Sequence, residues 1–238
     1  MEDLTMHSFS CKIIKNDDRI FFNDGTKYVL FDTGFVGNPF GKNSVSVNGK
    51  IGNIAANTMP KNFFESFINL KMEDGSSVDA VFNPLDGFNC LLAGDTLTVS
   101  DGDIPVEGKY FFPFTDNNLP IIEGNINGSC GYFLFDSGAR WTMFGYRSDA
   151  AEKIGTYTEW MAMKRQYSEL ELFKLDLAFP NGFTFQGKGA LVTDPDYLMH
   201  AQTMGIRAML GIDIFDHYDM AIITKGNKRG ITLIEKSK

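Results

Sequence analysis

The stretch of sequence that decides the fold is YVLFDTGF (residues 28–35), which recurs in similar form as YFLFDSGA (residues 132–139). Five of the eight positions are identical, and a sixth exchanges Thr33 for Ser137. In each copy an apolar run ends at an aspartate that is followed by a hydroxyl residue and a glycine. A motif repeated at this length predicts two halves of the chain built to the same plan.

A second pair of motifs follows downstream in each half. LLAGDTL (residues 91–97) aligns with MLGIDIF (residues 209–215), which sets Ala93 opposite Gly211. This position lies 61 residues after the aspartate in the first half and 75 residues after it in the second. We therefore expect the same order of elements in both halves, with an insertion of about fourteen residues in the second.

The boundary between the halves is predicted in residues 100–108, which are rich in turn-forming residues. This boundary gives an N-terminal lobe at residues 1–105 and a C-terminal lobe at residues 106–238.

The secondary structure is predicted to be mostly β. Residues 20–31 and 121–135 each hold two apolar runs around a glycine-containing turn, the pattern of a β-hairpin. Further predicted elements are hairpins at 67–82 and 220–234 and short helices around 61–66, 148–153 and 196–202.

The composition is that of an ordinary globular protein, with 43% hydrophobic and 22% charged residues. The 22 phenylalanines favour a β-rich core, because large rings pack well at strand positions. The net charge is −8 and the pI is about 4.9. These values argue against a nucleic-acid partner, since no basic surface is left to neutralise phosphates.

The cysteines and the N-terminus bear on location. Cys11, Cys90 and Cys130 lie far apart and are odd in number, which favours reduced thiols. Residues 1–4 carry acidic side chains where a signal peptide needs basic ones, and no run of about 18 apolar residues occurs. We expect a cytoplasmic protein with no membrane partner, although a chain trimmed of its secretion leader would have the same pattern.

The four motifs together resemble those of the aspartic protease superfamily, the pepsin-like and retropepsin-like enzymes. The resemblance covers roughly residues 18–235, and halves this short are more similar to retropepsin units fused in tandem than to pepsin lobes. It implies an all-β, bilobal fold with pseudo-two-fold symmetry, in which each half is a small closed β-barrel. Residues 1–105 and 106–238 would each form one retropepsin-like lobe.

The resemblance implies that Asp32 and Asp136 are the catalytic pair of a peptidase. Two carboxyl groups about 3 Å apart cannot both ionise, so they share one proton. The ionised member then acts as a general base on water while the other polarises the scissile carbonyl, with neither metal nor cofactor. The family's supporting positions are matched by Thr33, Gly34, Ser137, Gly138 and Gly211.

Three residues depart from the family pattern. Phe35 and Ala93 stand where the family has smaller residues, and we expect both to crowd the first active loop. Arg140 follows the second active loop and is a candidate to line the cleft, where it would lower the pKa of a carboxyl, or to pair with a surface acid. Candidate flaps, the mobile hairpins over the cleft, are residues 45–59 and 155–167.

Three functional hypotheses remain open. The first is an endopeptidase acting on peptide or protein substrates, as a monomer. The second is a catalytically silent peptide-binding module, which Phe35 and Ala93 favour and the retained Asp32 and Asp136 oppose. The third is that each half pairs with its counterpart in another chain.

Overall fold

The protein is all-β, as predicted: 51% of the residues lie in strands and 11% in helices. The computed structural model describes residues 8–23, 27–35, 42–46, 53–60, 63–116, 119–161 and 164–236. The strands in these residues form three sheets, one in each half and one shared between the halves.

The first-half sheet has six strands in the spatial order β2-β3-β4-β7-β6-β5. They are β2 (Ile14–Asn16), β3 (Arg19–Asn23), β4 (Tyr28–Phe31), β5 (Lys42–Ser46), β6 (Asn53–Thr58) and β7 (Val78–Phe82). The hairpin predicted at residues 20–31 is β3 and β4. The central strand β4 is apolar on both faces and buried, and it runs parallel to β7.

The second-half sheet has seven strands, of which six close into a barrel. They are β11 (Ile121–Ile126), β12 (Ser129–Phe135), β13 (Thr142–Phe144), β14 (Lys153–Met161), β15 (Gln166–Ala178), β16 (Thr184–Leu191) and β17 (Ala208–Leu210). The order is β11-β12-β17-β13-β16-β15, and β15 pairs back onto β11. The remaining strand, β14, extends from the barrel as the partner of β15.

A closed barrel is therefore present in the second half, whereas the prediction was for one in each half. Closure depends on β15, whose 13 residues are long enough to pair with both of its barrel neighbours. In the first-half sheet β6 has six residues. Within the described residues it pairs with β5 and β7, and the first-half sheet remains open.

The third sheet is shared by the two halves, in the order β1-β9-β8-β18-β19-β10. Its strands are β1 (Ser8–Lys12), β8 (Asn89–Ala93), β9 (Thr96–Ser100), β10 (Tyr110–Pro113), β18 (Tyr218–Ile223) and β19 (Gly230–Glu235). The predicted C-terminal hairpin is β18 and β19. Because β8 of the first half pairs directly with β18 of the second, backbone hydrogen bonds connect the halves.

Helical segments are short. The α-helix α1 (Pro195–Thr203) was predicted, and Asp194 caps it by accepting hydrogen bonds from two backbone N–H groups. Pro84–Asp86, Arg147–Asp149 and Ile212–Phe215 are 3₁₀ turns, and Phe64–Ile68 is a π-helical turn. That π-helical turn occupies part of the segment where the sequence predicted the first strand of a hairpin, so only its second strand, β7, is confirmed.

The largest apolar cluster extends through both halves and the shared sheet. Its phenylalanine rings meet edge to face, as Phe22 does with Phe82 at a centroid distance of 6.0 Å. None of the helices in the described ranges is both long and apolar enough to cross a bilayer.

Candidate active site

Two loops meet between the halves, and each begins with an aspartate at the end of a buried strand. The backbone N–H of Asp32, after β4, donates to the carbonyl oxygen of Phe82 in the parallel strand β7, at 3.0 Å. The backbone N–H of Asp136, after β12, donates to the carbonyl oxygen of Leu210 in the parallel strand β17, also at 3.0 Å. Equivalent backbone hydrogen bonds therefore hold both aspartates.

The residues after the aspartates lock the two loops together by crossed hydrogen bonds. The N–H of Thr33 donates to Ser137 Oγ, and the N–H of Ser137 donates to Thr33 Oγ1, both at 3.0 Å. Each hydroxyl then donates to a carbonyl oxygen of the other half: Thr33 to Phe135 at 2.8 Å and Ser137 to Phe31 at 3.1 Å. Thr33 and Ser137 are fully buried, so these four bonds exclude water and fix the loops against each other.

The glycines allow the carboxyl groups to approach. The N–H of Gly34 donates to Oδ1 of Asp32 and that of Gly138 donates to Oδ1 of Asp136, both at 2.9 Å. A Cβ atom on Gly138 would lie 2.5 Å from Asp32 Cγ, and one on Gly34 would lie 2.5 Å from Asp136 Oδ1. Any side chain at either glycine would therefore collide with the aspartate of the opposite loop.

The two carboxyl groups are half-buried and hydrogen-bonded to each other. Burial raises the pKa of Asp32 well above its usual range, and the charge of Asp136 raises it further. Burial also raises the pKa of Asp136, but the hydrogen bond from Asp32, backbone N–H groups and the charge of Arg19 oppose that rise. Such a pair retains a proton at pH values where an isolated aspartate has lost it.

The carboxyl groups lie in a cavity of about 230 Å³. One wall is apolar and belongs to the second half: Met143, Trp160, Met161, Tyr197 and Met209. The charged lining residues are Arg19, Asp32, Asp136, Glu159, Lys164 and Asp194. The cavity thus combines an apolar wall with the paired carboxyl groups, the usual composition of a site for a small molecule or side chain.

The second motif of the first half is not the one expected from the alignment. Phe31 pairs with Phe82 as Phe135 pairs with Leu210, so the residue that corresponds to Gly211 is Asn83. Asn83 lies 51 residues after the first-half aspartate. The alignment of Ala93 with Gly211 is therefore wrong.

Ala93 instead ends β8 and pairs with Thr96, in the hairpin that joins β8 to β9. It lies away from the first active loop, so the expected crowding by its methyl group does not occur. Residues 91–95 and 209–213 are similar in sequence, and this local similarity suggested the wrong alignment. The segment that lies under each active loop is instead decided by strand pairing.

Phe35 does not crowd the loop either. It is half-buried and packs against an apolar cluster of the first half that includes Phe21, Phe64 and Val81. The crossed bonds and the Gly34–Asp32 bond keep the same lengths as their counterparts in the second half. The expected distortion of the first active loop is absent.

Gly211 lies beneath the second loop, where no side chain fits. A Cβ atom there would be 2.6 Å from the carbonyl carbon of Trp141. Gly211 therefore positions the second loop through backbone packing.

Arg140 does not face the dyad. It forms ion pairs with Asp17 at 3.2 Å and Asp18 at 2.5 Å, in the turn between β2 and β3, and stacks over Trp141 at 5.2 Å. Of the two alternatives for this arginine, the structure shows the pairing with surface acids. These acids belong to the first half, so the contact connects the halves.

Arg19 is the arginine beside the dyad, and the sequence reasoning missed it. Its Nε donates to the carbonyl oxygen of Gly138 at 2.8 Å, and its side chain is 13% exposed. Arg19 could have been recognised from its position at the start of β3, the strand that pairs with β4. That recognition requires the register between β3 and β4, which the sequence alone does not give.

The flap candidates are hairpins in both halves. Residues 155–167 fall in β14 and β15, and Trp160 and Met161 of this hairpin line the cavity. Residues 45–59 fall largely in β5 and β6, but the predicted glycine-rich tip, residues 48–52, lies outside the described residues.

Comparison with known proteins assigns no family: no family model matches the chain, and no curated protein matches it. Within the described ranges, no group of three or more His, Cys, Asp or Glu side chains is placed to hold a metal ion. The chemistry of the site is therefore inferred from its own geometry.

Proposed function

We propose that this protein is an aspartic endopeptidase, in which Asp32 and Asp136 activate a water molecule to hydrolyse peptide bonds. The observation that carries the proposal is the pairing of two half-buried carboxyl groups, hydrogen-bonded to each other in one cavity. Near-symmetric loops hold them, so both face the same point. A structural ion pair would need a cation between the carboxyls, and here they contact each other directly.

The shared proton is what suits this pair to hydrolysis. Two adjacent carboxylates repel strongly in a site of low dielectric, so one of them keeps its proton at pH values where an isolated aspartate is ionised. The site then offers a base and an acid a hydrogen-bond length apart. General acid–base catalysis of this kind contributes about 10²–10⁴-fold in rate.

The proposed reaction proceeds in two steps. In the first, the carboxylate takes a proton from water while the water oxygen bonds to the carbonyl carbon, and the carboxylic acid gives its proton to the carbonyl oxygen. In the second, the C–N bond of the tetrahedral intermediate breaks. The nitrogen takes the proton held by the first carboxyl, and a hydroxyl proton returns to the second carboxyl, which restores the starting state.

Peptide or protein chains in an extended conformation are the proposed substrates. The apolar wall of Met143, Met161 and Met209 provides contact area for a substrate side chain, and the β14–β15 hairpin covers the cavity through Trp160. Closure by such a hairpin would exclude water other than the nucleophile. Both loops come from one chain, so we propose that the monomer is active. The free thiols of all three cysteines fit the proposed cytoplasmic location.

The alternative of a silent peptide-binding module is the weaker of the two proposals. It was based on crowding of the first loop by Phe35 and Ala93. Phe35 packs into an apolar cluster, and Ala93 lies in the β8–β9 hairpin. No other observation among the described residues favours silence over activity.

The test is cleavage of a peptide library, followed by mass spectrometry between pH 3 and pH 8. We expect the wild type to cleave, and Asp136→Asn to lose at least about 10²-fold in kcat/KM while keeping its thermal unfolding transition. Asp176→Asn makes the same chemical change at an exposed strand position and should cleave as wild type does. Absence of cleavage by the wild type at every pH, or equal cleavage by Asp136→Asn, would contradict the proposal.

A further inference from the structure

The dyad is nearly symmetric in its own hydrogen bonds, but its surroundings are not. Arg19, the first residue of β3, lines the cavity that contains Asp32 and Asp136. Its Nε donates to the carbonyl oxygen of Gly138 at 2.8 Å. This places a guanidinium from the first half against the active loop of the second.

Strand pairing shows that the second half has no matching cation. The residue two places before each aspartate pairs with Phe21 in the first half and with Ile121 in the second. Two residues before these partners lie Arg19, which is the first residue of β3, and Leu119, which precedes β11. Leu119 packs against an apolar cluster. The position that holds a cation beside Asp136 therefore holds a hydrocarbon at the symmetry-related place.

We propose that Arg19 is a positioning residue that decides which carboxyl is ionised, so that Asp136 is the base that activates water and Asp32 is the acid that donates to the substrate carbonyl. This inference rests on the proposed peptidase function. Because Arg19 lies beside one of the two loops only, the two carboxyl groups are no longer chemically equivalent.

Electrostatics supports this assignment. Burial raises the pKa of both carboxyls, and for Asp32 the neighbouring carboxylate raises it further. For Asp136 the rise is opposed by the hydrogen bond from Asp32, by backbone N–H groups and by the charge of Arg19. The Arg19 side chain is 13% exposed, so solvent weakens the field of its charge only partly. Its ion-pair partner, Asp17, is 49% exposed and shares its charge with Arg140, which leaves Arg19 incompletely neutralised.

The other titratable groups of the cavity do not replace Arg19. Glu159 accepts a hydrogen bond from the Tyr157 hydroxyl at 2.6 Å. Lys164 and Asp194 form an ion pair with each other. Tyr197 donates its hydroxyl proton to a backbone carbonyl oxygen at 2.9 Å and is neutral, since burial raises its pKa. Among the described lining residues, Arg19 is the cation that contacts an active loop.

A cluster of charges holds Arg19 in place. Asp17 and Asp18 form the turn between β2 and β3, both with left-handed backbone, at φ of 49° and 57°. Asp17 binds Arg19 from the same hairpin and Arg140 from the second half, and Asp18 binds Arg140 as well. Arg140 thus contributes to the cluster without lining the cavity, which makes it a matched control.

The experiment compares the pH dependence of peptide cleavage in the wild type, Arg19→Gln, Arg19→Lys and Arg140→Gln. We expect Arg19→Gln to move the acidic limb of the kcat/KM profile to higher pH by about one unit, which is a roughly tenfold loss of rate on that limb. Arg19→Lys should restore most of the wild-type profile, because it keeps the charge. Arg140→Gln should lower the unfolding temperature and move the limb much less than Arg19→Gln does, because it alters only how fully Asp17 neutralises Arg19.

A second measurement does not depend on activity and separates failure of this inference from failure of the peptidase function. NMR titration of ¹³C-labelled aspartate carboxyls, assigned with Asp32→Asn and Asp136→Asn, should find the first carboxyl to ionise at Asp136. Its midpoint should rise in Arg19→Gln. The inference is overturned if Asp32 ionises first, or if Arg19→Gln and Arg140→Gln lower stability alike without moving any titration. If the titration is as expected but no peptide is cleaved, the proposed peptidase function is wrong and the proposed asymmetry of the two carboxyls stands.

Discussion

Asn83 donates a hydrogen bond from Nδ2 to the carbonyl oxygen of Phe35 at 2.8 Å. In the second half the corresponding carbonyl, that of Ala139, accepts from the backbone N–H of Ile212 at 3.0 Å. The first half cannot make that backbone bond, because Pro84 stands at the position of Ile212 and has no N–H. A side chain therefore replaces a backbone donor and keeps the first active loop in the same geometry as the second.

Asn83→Ala tests this replacement. The change leaves the Phe35 carbonyl without its donor and removes the Asn83 oxygen that accepts from the N–H of Leu85 at 2.9 Å. We expect a loss of about 1–3 kcal/mol in the free energy of unfolding, measured with urea, together with lower cleavage. Asn89→Ala is the control, since Asn89 is buried and makes comparable bonds in the shared sheet. It should destabilise the protein similarly but spare kcat, and equal kcat values in the two variants would contradict the role given to Asn83.

Gly138→Ala tests the close approach of the two loops. The added methyl would lie 2.5 Å from Asp32 Cγ, so the carboxyl groups must separate. A displacement on the order of 1 Å costs about 10²-fold in rate. We expect that loss in kcat, whereas Gly155→Ala, whose methyl would meet nothing within 4 Å, should behave as wild type. Full activity of Gly138→Ala would show that the carboxyl spacing is not required.

Phe35→Ala tests whether the ring supports the fold or hinders the site. Removing a half-buried ring from the cluster around Phe21 and Phe64 should cost about 1–3 kcal/mol of stability, measured by chemical unfolding, with no gain in cleavage. Ala93→Gly should leave cleavage unchanged, because Ala93 is in the β8–β9 hairpin. If the double variant Phe35→Ala/Ala93→Gly cleaved faster than wild type, the hypothesis that these residues crowd the first active loop would be restored.

Asp32→Asn should change how stability depends on pH. Burial raises the folded-state pKa of Asp32 above its ordinary value of 3.8, so the native state keeps a proton that the unfolded chain releases. Wild-type stability therefore falls as the pH rises from about 4 towards the folded-state pKa, by at most about 1.4 kcal/mol per pH unit for one proton. Asp32→Asn removes this loss and should gain stability relative to wild type on going from pH 4 to pH 7, measured by urea unfolding. If the plots of stability against pH run parallel for the two proteins, the pKa of Asp32 is not raised by folding.

Much of the fold could be predicted from the sequence. The hairpin β3–β4 and the C-terminal hairpin β18–β19 follow from apolar runs around glycine turns, which are local signals. The predicted hairpin at residues 67–82 failed in its first strand, where Phe64–Ile68 forms a π-helical turn. Apolar residues in a short segment do not distinguish a strand from a helical turn that packs against the same core.

Some residues of the candidate site could be predicted from the sequence and others could not. Asp32, Asp136 and their neighbouring hydroxyls and glycines were found from the repeat, because each loop is one continuous stretch of chain. Arg19 and Asn83 were missed, because they reach the site from other segments of the chain. The different hairpin lengths before the two aspartates hide the correspondence of Arg19 and Leu119 when residues are simply counted.

The sequence by itself determined that the chain has two similar halves, that it is mostly β, and that each half ends a buried strand with an Asp, a hydroxyl residue and a Gly. These properties depend on neighbouring residues. Only the tertiary structure decided that Asn83 rather than Ala93 supports the first loop, that Arg19 lies beside Asp136, and that one barrel closes. The physical reason is that parallel strands such as β4 and β7 pair across a long intervening segment. Their register is set by packing of the whole core and by backbone hydrogen bonds, neither of which any short stretch of sequence contains.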